Sequence, residues 1–380
     1  MNFDLSKPQK LLQSSVREFL SRECPSSRVR ELMASPTAFD ESLWQAMADQ
    51  GWMGLTIPET FDGSGLSAVE LAVVAEVMGE FCLPGPFLSN LWGAGVIRAS
   101  KNDELTNRAL GPIATGSLRA TVALLEETPD WDLDRIGRSE QGAEQRAAQP
   151  VAGGFRLDGE KLFVSDAETA DVILWPCRIG NEPAIFFLEK SAGGFSITPM
   201  PAIDATRKLY RVRLNAAAVS EKCLLARGEA ALTALRLATL EATTAACAEL
   251  VGAMNWLLTT TVEYAKTRQQ FGRSIGSFQA VQHHCADMYL QRESARAAAY
   301  YAAWAVSVQD PEAERLVSVA KAYCSDAARE AANSAVQVHG GIGFTWEHDL
   351  QLYYKRVQSL DALFGDATYH RERVARIVLD

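Results

Sequence analysis

The sequence has no Cys-x-x-Cys pair, few histidines, no excess of basic residues and no apolar run long enough to cross a bilayer. Each gap removes a class of function. Its seven cysteines, at 24, 82, 177, 223, 247, 285 and 324, are scattered and mostly fall inside apolar helical patterns. They read as reduced core thiols of a cytoplasmic protein rather than as a disulfide or zinc framework. His283 and His284 are adjacent, and adjacent helical residues point about 100° apart, so no metal site is expected from them. With 37 basic against 47 acidic residues the chain carries a formal charge of −10, which argues against nucleic acid as a partner. The longest run of small apolar residues, Ala297 to Val308, is too short for a membrane span, and Met1 to Leu5 carries no basic-then-apolar export signal. The glycines at 153, 154 and 159 do not spell a dinucleotide fingerprint.

What remains is 380 residues, 48% hydrophobic and 22% charged, enough for two or three domains or one large core. Residues 1–115 read as helical. Leu11, Leu12, Val16, Phe19 and Leu20 mark an amphipathic first helix, and Trp44, Met47 and Leu55 extend the apolar set. The breaker-rich stretch from Gly51 to Ser67 feeds a helix capped by Ser67, with Glu70 placed to complete a capping box. Residues 116–227 switch to short β-like runs at Thr121–Leu125, Leu162–Val164, Val172–Trp175, Ala184–Leu188 and Tyr210–Leu214. A small antiparallel β domain is expected there, with the polar stretch 134–149 as a solvated loop.

From 228 to 380 the period is helical again: Leu232 to Thr267, then a hairpin of two alanine-rich helices, then a last helix after Asp366. Phe278, Val281, Cys285, Met288, Ala295 and Ala299 form the inward stripe of the first hairpin helix, leaving Arg292, Glu293 and Arg296 off it. Leu316, Val319, Tyr323, Ala327 and Ala335 form that of the second, with Asp310 as N-cap, Pro311 at the first position and Gly340-Gly341 as the stop.

A polar knot, Arg268-Gln269-Gln270-Phe271-Gly272, opens the hairpin, and Gln337-Val338-His339-Gly340-Gly341-Ile342-Gly343-Phe344 closes it about seventy residues later. An arginine fork suits a phosphate, and paired glycines let a backbone approach a ligand closely. This pairing resembles the acyl-CoA dehydrogenase family, and the helix, β, helix order extends the resemblance over nearly the whole chain. It implies a mostly α, α+β fold with an N-terminal helical domain (1–115), a middle β domain (116–227) and a C-terminal four-helix bundle (228–380). It also implies FAD as cofactor. Arg268, Gln270, Phe271 and Gln279 would lie on the dinucleotide across a subunit interface, Gln337, Gly340 and Gly341 at its adenine end, and Phe163 and Ser165 beside the flavin ring.

The activity implied is oxidation of an acyl-CoA thioester to the 2,3-enoyl-CoA, with an electron-transferring flavoprotein as acceptor, in a homo- or hetero-oligomer built as a dimer of dimers. The family's usual base, a glutamate in a Tyr-Glu-Gly-Thr turn, corresponds to Phe364 in Leu363-Phe364-Gly365-Asp366, which takes no proton. The alternative position on the preceding helix falls on Ala242, one residue from Glu241. Glu241 is the first candidate base, with Glu249 and Asp366 as others. A second departure is Leu125 to Asp132, where the family's glycine and serine flavin loop is replaced by bulky and acidic residues. Some bacterial relatives form mixed tetramers in which one subunit type supplies the Arg-x-x-Phe-Gly half of the site, so a half-site subunit that completes a partner's flavin pocket is the competing reading.

Overall fold

The computed structural model describes residues 5–127, 129–136 and 148–379; most of the loop expected at 134–149 therefore lies outside the described residues. Six helices open the chain: α1 (Lys7–Glu23), α2 (Ser26–Ala34), α3 (Glu41–Asp49), α4 (Ala68–Glu80), α5 (Phe87–Ala99) and α6 (Asp103–Ala114). Among the described residues eight strands follow: β1 (Ala120–Val122), β2 (Gln149–Val151), β3 (Gly154–Ser165), β4 (Val172–Ile179), β5 (Glu182–Glu189), β6 (Phe195–Met200), β7 (Leu209–Ser220) and β8 (Leu224–Arg227). The chain ends with α7 (Glu229–Thr267), the two-residue strands β9 (Gln269–Gln270) and β10 (Arg273–Ser274), then α8 (Gln279–Ser307), α9 (Ala313–His339), α10 (Leu350–Ala362) and α11 (Ala367–Leu379).

These elements gather into two compact units. The second comprises Leu32–Leu66 and Pro84–Ala242. It holds two four-stranded sheets, ordered β1-β4-β5-β8 and β2-β3-β7-β6. Phe155, Leu157, Trp175, Phe186, Tyr210 and Val212 fill one core cluster drawn from both. The pairing is antiparallel, as expected, apart from β1, which runs parallel to β4. A parallel neighbour needs a long crossover, which the chain from 123 to 171 supplies.

The first unit comprises Met1–Glu31, Ser67–Leu83 and Thr243–Asp380, and is helical apart from the β9/β10 hairpin. Capping chemistry sets two of its helix starts: Ser6 with Gln9 for α1, and Ser67 with Glu70 for α4 as the sequence predicts. In α1 Val16, Phe19 and Leu20 are buried, but Leu11 is exposed near the helix's free end. The inward stripe of α9 also differs from expectation. Ala320, Cys324, Ala327, Ala331 and Ala335 are buried while Val319 and Tyr323 face outward. In a helix this rich in alanine the small residues form the closest packing face, and the bulkier ones are displaced to the rim. Asp310 is not the N-cap expected, nor Pro311 the first helical residue: regular helix begins at Ala313 after Glu312, and Asp310 accepts from the Glu312 N–H at 2.8 Å in the turn before it.

The closest approach in this unit is between α4 and α7. A Cβ on Gly252 would stand 1.8 Å from the Glu76 carbonyl oxygen, and one on Gly79 would stand 2.1 Å from that of Glu249. Backbone therefore lies on backbone. The seam is lined by ion pairs: Glu76 with Arg296 (3.2 Å), Glu80 with Arg17 (2.9 Å) and Glu249 with Arg356 (2.5 Å).

At the α10–α11 junction Phe364 is buried with φ +63°, followed by Gly365 at +99°. The fully buried Lys321 amine donates to the Asp361 and Gly365 carbonyls, both at 2.8 Å, and to Ser325 Oγ at 3.1 Å. His370 Nε2 donates to the Phe364 carbonyl at 3.0 Å. Burial first, then the nearby Lys321 charge, pushes the His370 pKa down to about 3.

Two outcomes follow from this packing. Gly252→Ala forces the α4–α7 seam apart and lowers unfolding free energy by about 3 kcal/mol, measurable by urea denaturation. His370 stays neutral in the fold but takes a proton when unfolded, so stability falls as pH drops below its unfolded value of about 6.5 and goes on falling to about pH 3. His370→Gln flattens that slope in melting temperatures recorded against pH.

Candidate functional site

The knot is a β-hairpin with a two-residue turn. Gln269 pairs with Ser274 and Gln270 with Arg273, leaving Phe271 (φ +54°) and Gly272 (φ +77°) at the tip. Two successive positive φ values make the primed turn that suits a tight hairpin, but phenylalanine is a strained choice for its first position. The Phe271 ring is 91% exposed, so packing within the chain does not account for it. Arg268 and Gln270 are exposed beside it. The base of the hairpin is fixed to the end of α7 by Arg268 N–H to the Tyr264 carbonyl and Ile275 N–H to the Arg268 carbonyl, each 2.8 Å.

The glycine strip begins where α9 stops. Gly340 takes φ +62°, and the chain turns through a short 3-10 segment at Gly340–Phe344. Nothing in the structure lies within 4 Å of where a Cβ on Gly340 or Gly341 would be. Gln337 is exposed on the last turn of α9, and Gln279 is exposed at the first position of α8 with its Nε2 3.4 Å from His283 Nε2. Knot and strip meet through rings. Tyr264 stacks on His339 at 4.4 Å and 18°, and His339 meets His348 edge-on at 4.9 Å. The donor set fits a dinucleotide tail: an exposed guanidinium, amide side chains, a largely exposed aromatic ring that meets Phe278 edge-on, and open glycine backbone.

In the β-containing unit, Phe163 sits in a bulge of β3 with φ +54°, 40% exposed, its N–H donating to Met200 Sδ at 3.4 Å. Ser165 is half-buried at the end of the same strand, and its carbonyl accepts from Thr121 Oγ1 at 2.7 Å. The stretch after β1 has its own structural partners. Glu126 pairs with the buried Lys161 at 2.8 Å, the Leu125 carbonyl accepts from Leu162 N–H at 2.8 Å, and Trp131 packs against Trp92 with ring centroids 6.1 Å apart.

Each candidate base has a defined partner. Glu241, on α7, is buried, and its Oε2 receives Arg98 Nη2 from α5 at 2.5 Å. The other arm of Arg98 donates to the carbonyl (2.5 Å) and hydroxyl (2.8 Å) oxygens of Thr56. Gly95 makes room for this pair, since a Cβ there would stand 3.0 Å from Ala238 Cβ and 3.5 Å from Glu241 Oε2. Glu249 belongs to the α4–α7 seam and is held by the fully buried Arg356, which also donates to the Leu83 carbonyl at 3.0 Å. Asp366 caps α11, accepting from Tyr369 N–H at 2.8 Å. Sequence reasoning missed both arginines. Arg98 had a visible signal, as the lone charge in the apolar run from Phe87 to Ala99.

Two family models match the chain, "Acyl-CoA dehydrogenase, N-terminal domain" over residues 6–117 and "Acyl-CoA dehydrogenase, C-terminal domain" over residues 232–379. Among curated relatives, the acyl-CoA dehydrogenase IpdE2 of Mycolicibacterium smegmatis is 30% identical over 98% of both chains. Among solved structures, the ChsE4-ChsE5 complex from Mycobacterium tuberculosis is 26% identical with a TM-score of 0.89, covering 100% of this chain and 99% of that one. PigA with FAD and proline is 26% identical with a TM-score of 0.90 over the same shares. With both terminal regions matched to family models and a relative alike from end to end, the chain belongs to the acyl-CoA dehydrogenase family of oxidoreductases.

Proposed function

We propose that this chain acts, with FAD, in the oxidation of an acyl-CoA thioester to the 2,3-enoyl-CoA, passing electrons to an electron-transferring flavoprotein. The observation that carries this reading is the hairpin tip: Phe271, edge-on to Phe278 yet largely exposed, sits on a strained turn beside the exposed Arg268, on a segment tied to the open Gly340-Gly341 backbone. Strain and an exposed ring are retained where a ligand or partner makes use of them. The PigA structure with FAD supports the choice of cofactor. Bound FAD supplies the hydride acceptor.

The chain's own residues have separable roles. Arg268 offers a planar fork to a phosphate, and Gln270, Gln279 and Gln337 add amide groups around it. Gly340 and Gly341 let the backbone come close to an adenine or ribose edge. Phe163 and Ser165 border the ring. Glu241 takes the proton from the carbon next to the thioester, and for this the Arg98 guanidinium yields one carboxylate oxygen. A dimer of dimers in the cytoplasm suits a site shared between chains and a complement of reduced thiols.

A second reading has its own support. The Leu125–Asp132 stretch is occupied by Glu126–Lys161 and Trp131–Trp92 contacts, Phe364 is buried at the usual base position, and all three carboxylates already have partners. Such a chain would contribute the dinucleotide-tail half of a flavin site completed by a different subunit. The two-component ChsE4-ChsE5 complex is a precedent for pairing in this family.

Two measurements test these readings. Arg268→Ala weakens FAD binding by roughly ten- to a hundredfold in a fluorescence titration, through loss of a charge-assisted hydrogen bond. Glu241→Gln lowers kcat by about a hundredfold or more while the flavin absorbance persists, if this chain supplies the base. Unchanged turnover in that variant, with lone protein colourless until a second subunit is co-expressed, establishes the half-site role instead.

A further inference from the structure

Two stretches distant in the chain converge on one column of three rings. Tyr264 lies on the last turns of α7 just before the knot, His339 is the last residue of α9 before the glycine strip, and His348 precedes α10. The knot is fixed to α7 by the Tyr264 carbonyl, and Gly276 packs directly on the same helix, its Cβ position 2.9 Å from the Ala265 oxygen. The strip folds back over His339, since a Cβ on Gly343 would stand 3.2 Å from that of His339. His348 is anchored in turn by accepting the Leu350 N–H on Nδ1 at 3.1 Å. Each cradle segment is thus rigidly attached to one ring of the column.

The chemistry of His339 also suits a spacer. Its Nδ1 lies 2.8 Å from the Ala335 carbonyl and therefore carries the proton, which fixes the ring plane; Nε2 has no hydrogen-bond partner among the described residues. Burial lowers its pKa, and the neighbouring His348 adds to that effect, so the ring stacks on Tyr264 as a neutral imidazole. Near-parallel rings resist sliding of one helix end past the other better than branched aliphatic side chains of equal volume.

We infer that His339 is a positioning residue for the flavin-tail site: by stacking on Tyr264 it sets the spacing between the Arg268–Phe271 knot and the Gly340–Gly341 backbone, and so the affinity for the dinucleotide. The inference rests on the FAD reading above. It predicts that an aromatic ring at 339 matters more than its nitrogen atoms.

The test strips flavin from the protein in the assembly in which it purifies and titrates FAD by fluorescence quenching, with thermal melts of each apoprotein. His339→Phe keeps the stack and binds FAD within about threefold of the natural protein, whereas His339→Leu binds about tenfold more weakly at an unchanged apoprotein melting temperature. Equal affinity in the leucine variant overturns the inference, as does a phenylalanine variant as weak as the leucine one. Where His339→Leu does not fold, Tyr264→Leu reaches the same column from α7 and must show the same loss, or the inference falls. Failure of the natural protein itself to take up FAD is a different result, removing the flavin reading and this inference with it.

Discussion

The arrangement of the helical unit depends on the backbone contact between α4 and α7. With Gly79 against the Glu249 backbone and Gly252 against that of Glu76, the two helices come too close for a side chain at either glycine. The acidic residues one turn away, Glu76, Glu80 and Glu249, are drawn out of water with them. A buried carboxylate is tolerable only when paired, so the crossing recruits Arg296, Arg17 and Arg356 from three other helices. Those pairs tie α8, α1 and α10 to the central seam. Glu249 accordingly has an architectural role in this seam, held by the fully buried Arg356.

The same long helix carries the seam in its middle and the knot at its end. Rigid support followed by a strained, exposed tip is the arrangement expected of a binding element, because a tip fixed in advance loses little freedom when a ligand arrives. The contrast with the β-containing unit is chemical. There Glu126 of the stretch after β1 pairs with the buried Lys161, and Trp131 meets Trp92 at a tilt.

Much of this was legible in the residues. The capping pairs, the four longest strands with the short β1, and the stop at Gly340 follow from local rules, because hydrogen-bonding geometry at a helix start or a period of two is decided within a few residues. The edge strand β6 was not read: Phe195 to Thr198 alternates apolar and polar for only four residues before Pro199, too short a signal to stand out. The stripe of α9 was misjudged for a related reason. Hydrophobicity ranks valine and tyrosine above alanine, whereas close helix packing rewards small size. Arg98 and Arg356 illustrate a further limit, because the value of a buried charge is set by a partner more than a hundred residues away.

The hairpin tip also governs how the lone chain behaves in solution. Phe271 presents almost its whole ring to water, and Phe344 on the nearby strip is 78% exposed. Ammonium sulfate and similar excluded salts raise the free energy of wetted apolar surface. Such salts therefore favour any association that covers these two rings, which bears on the handling of concentrated stocks.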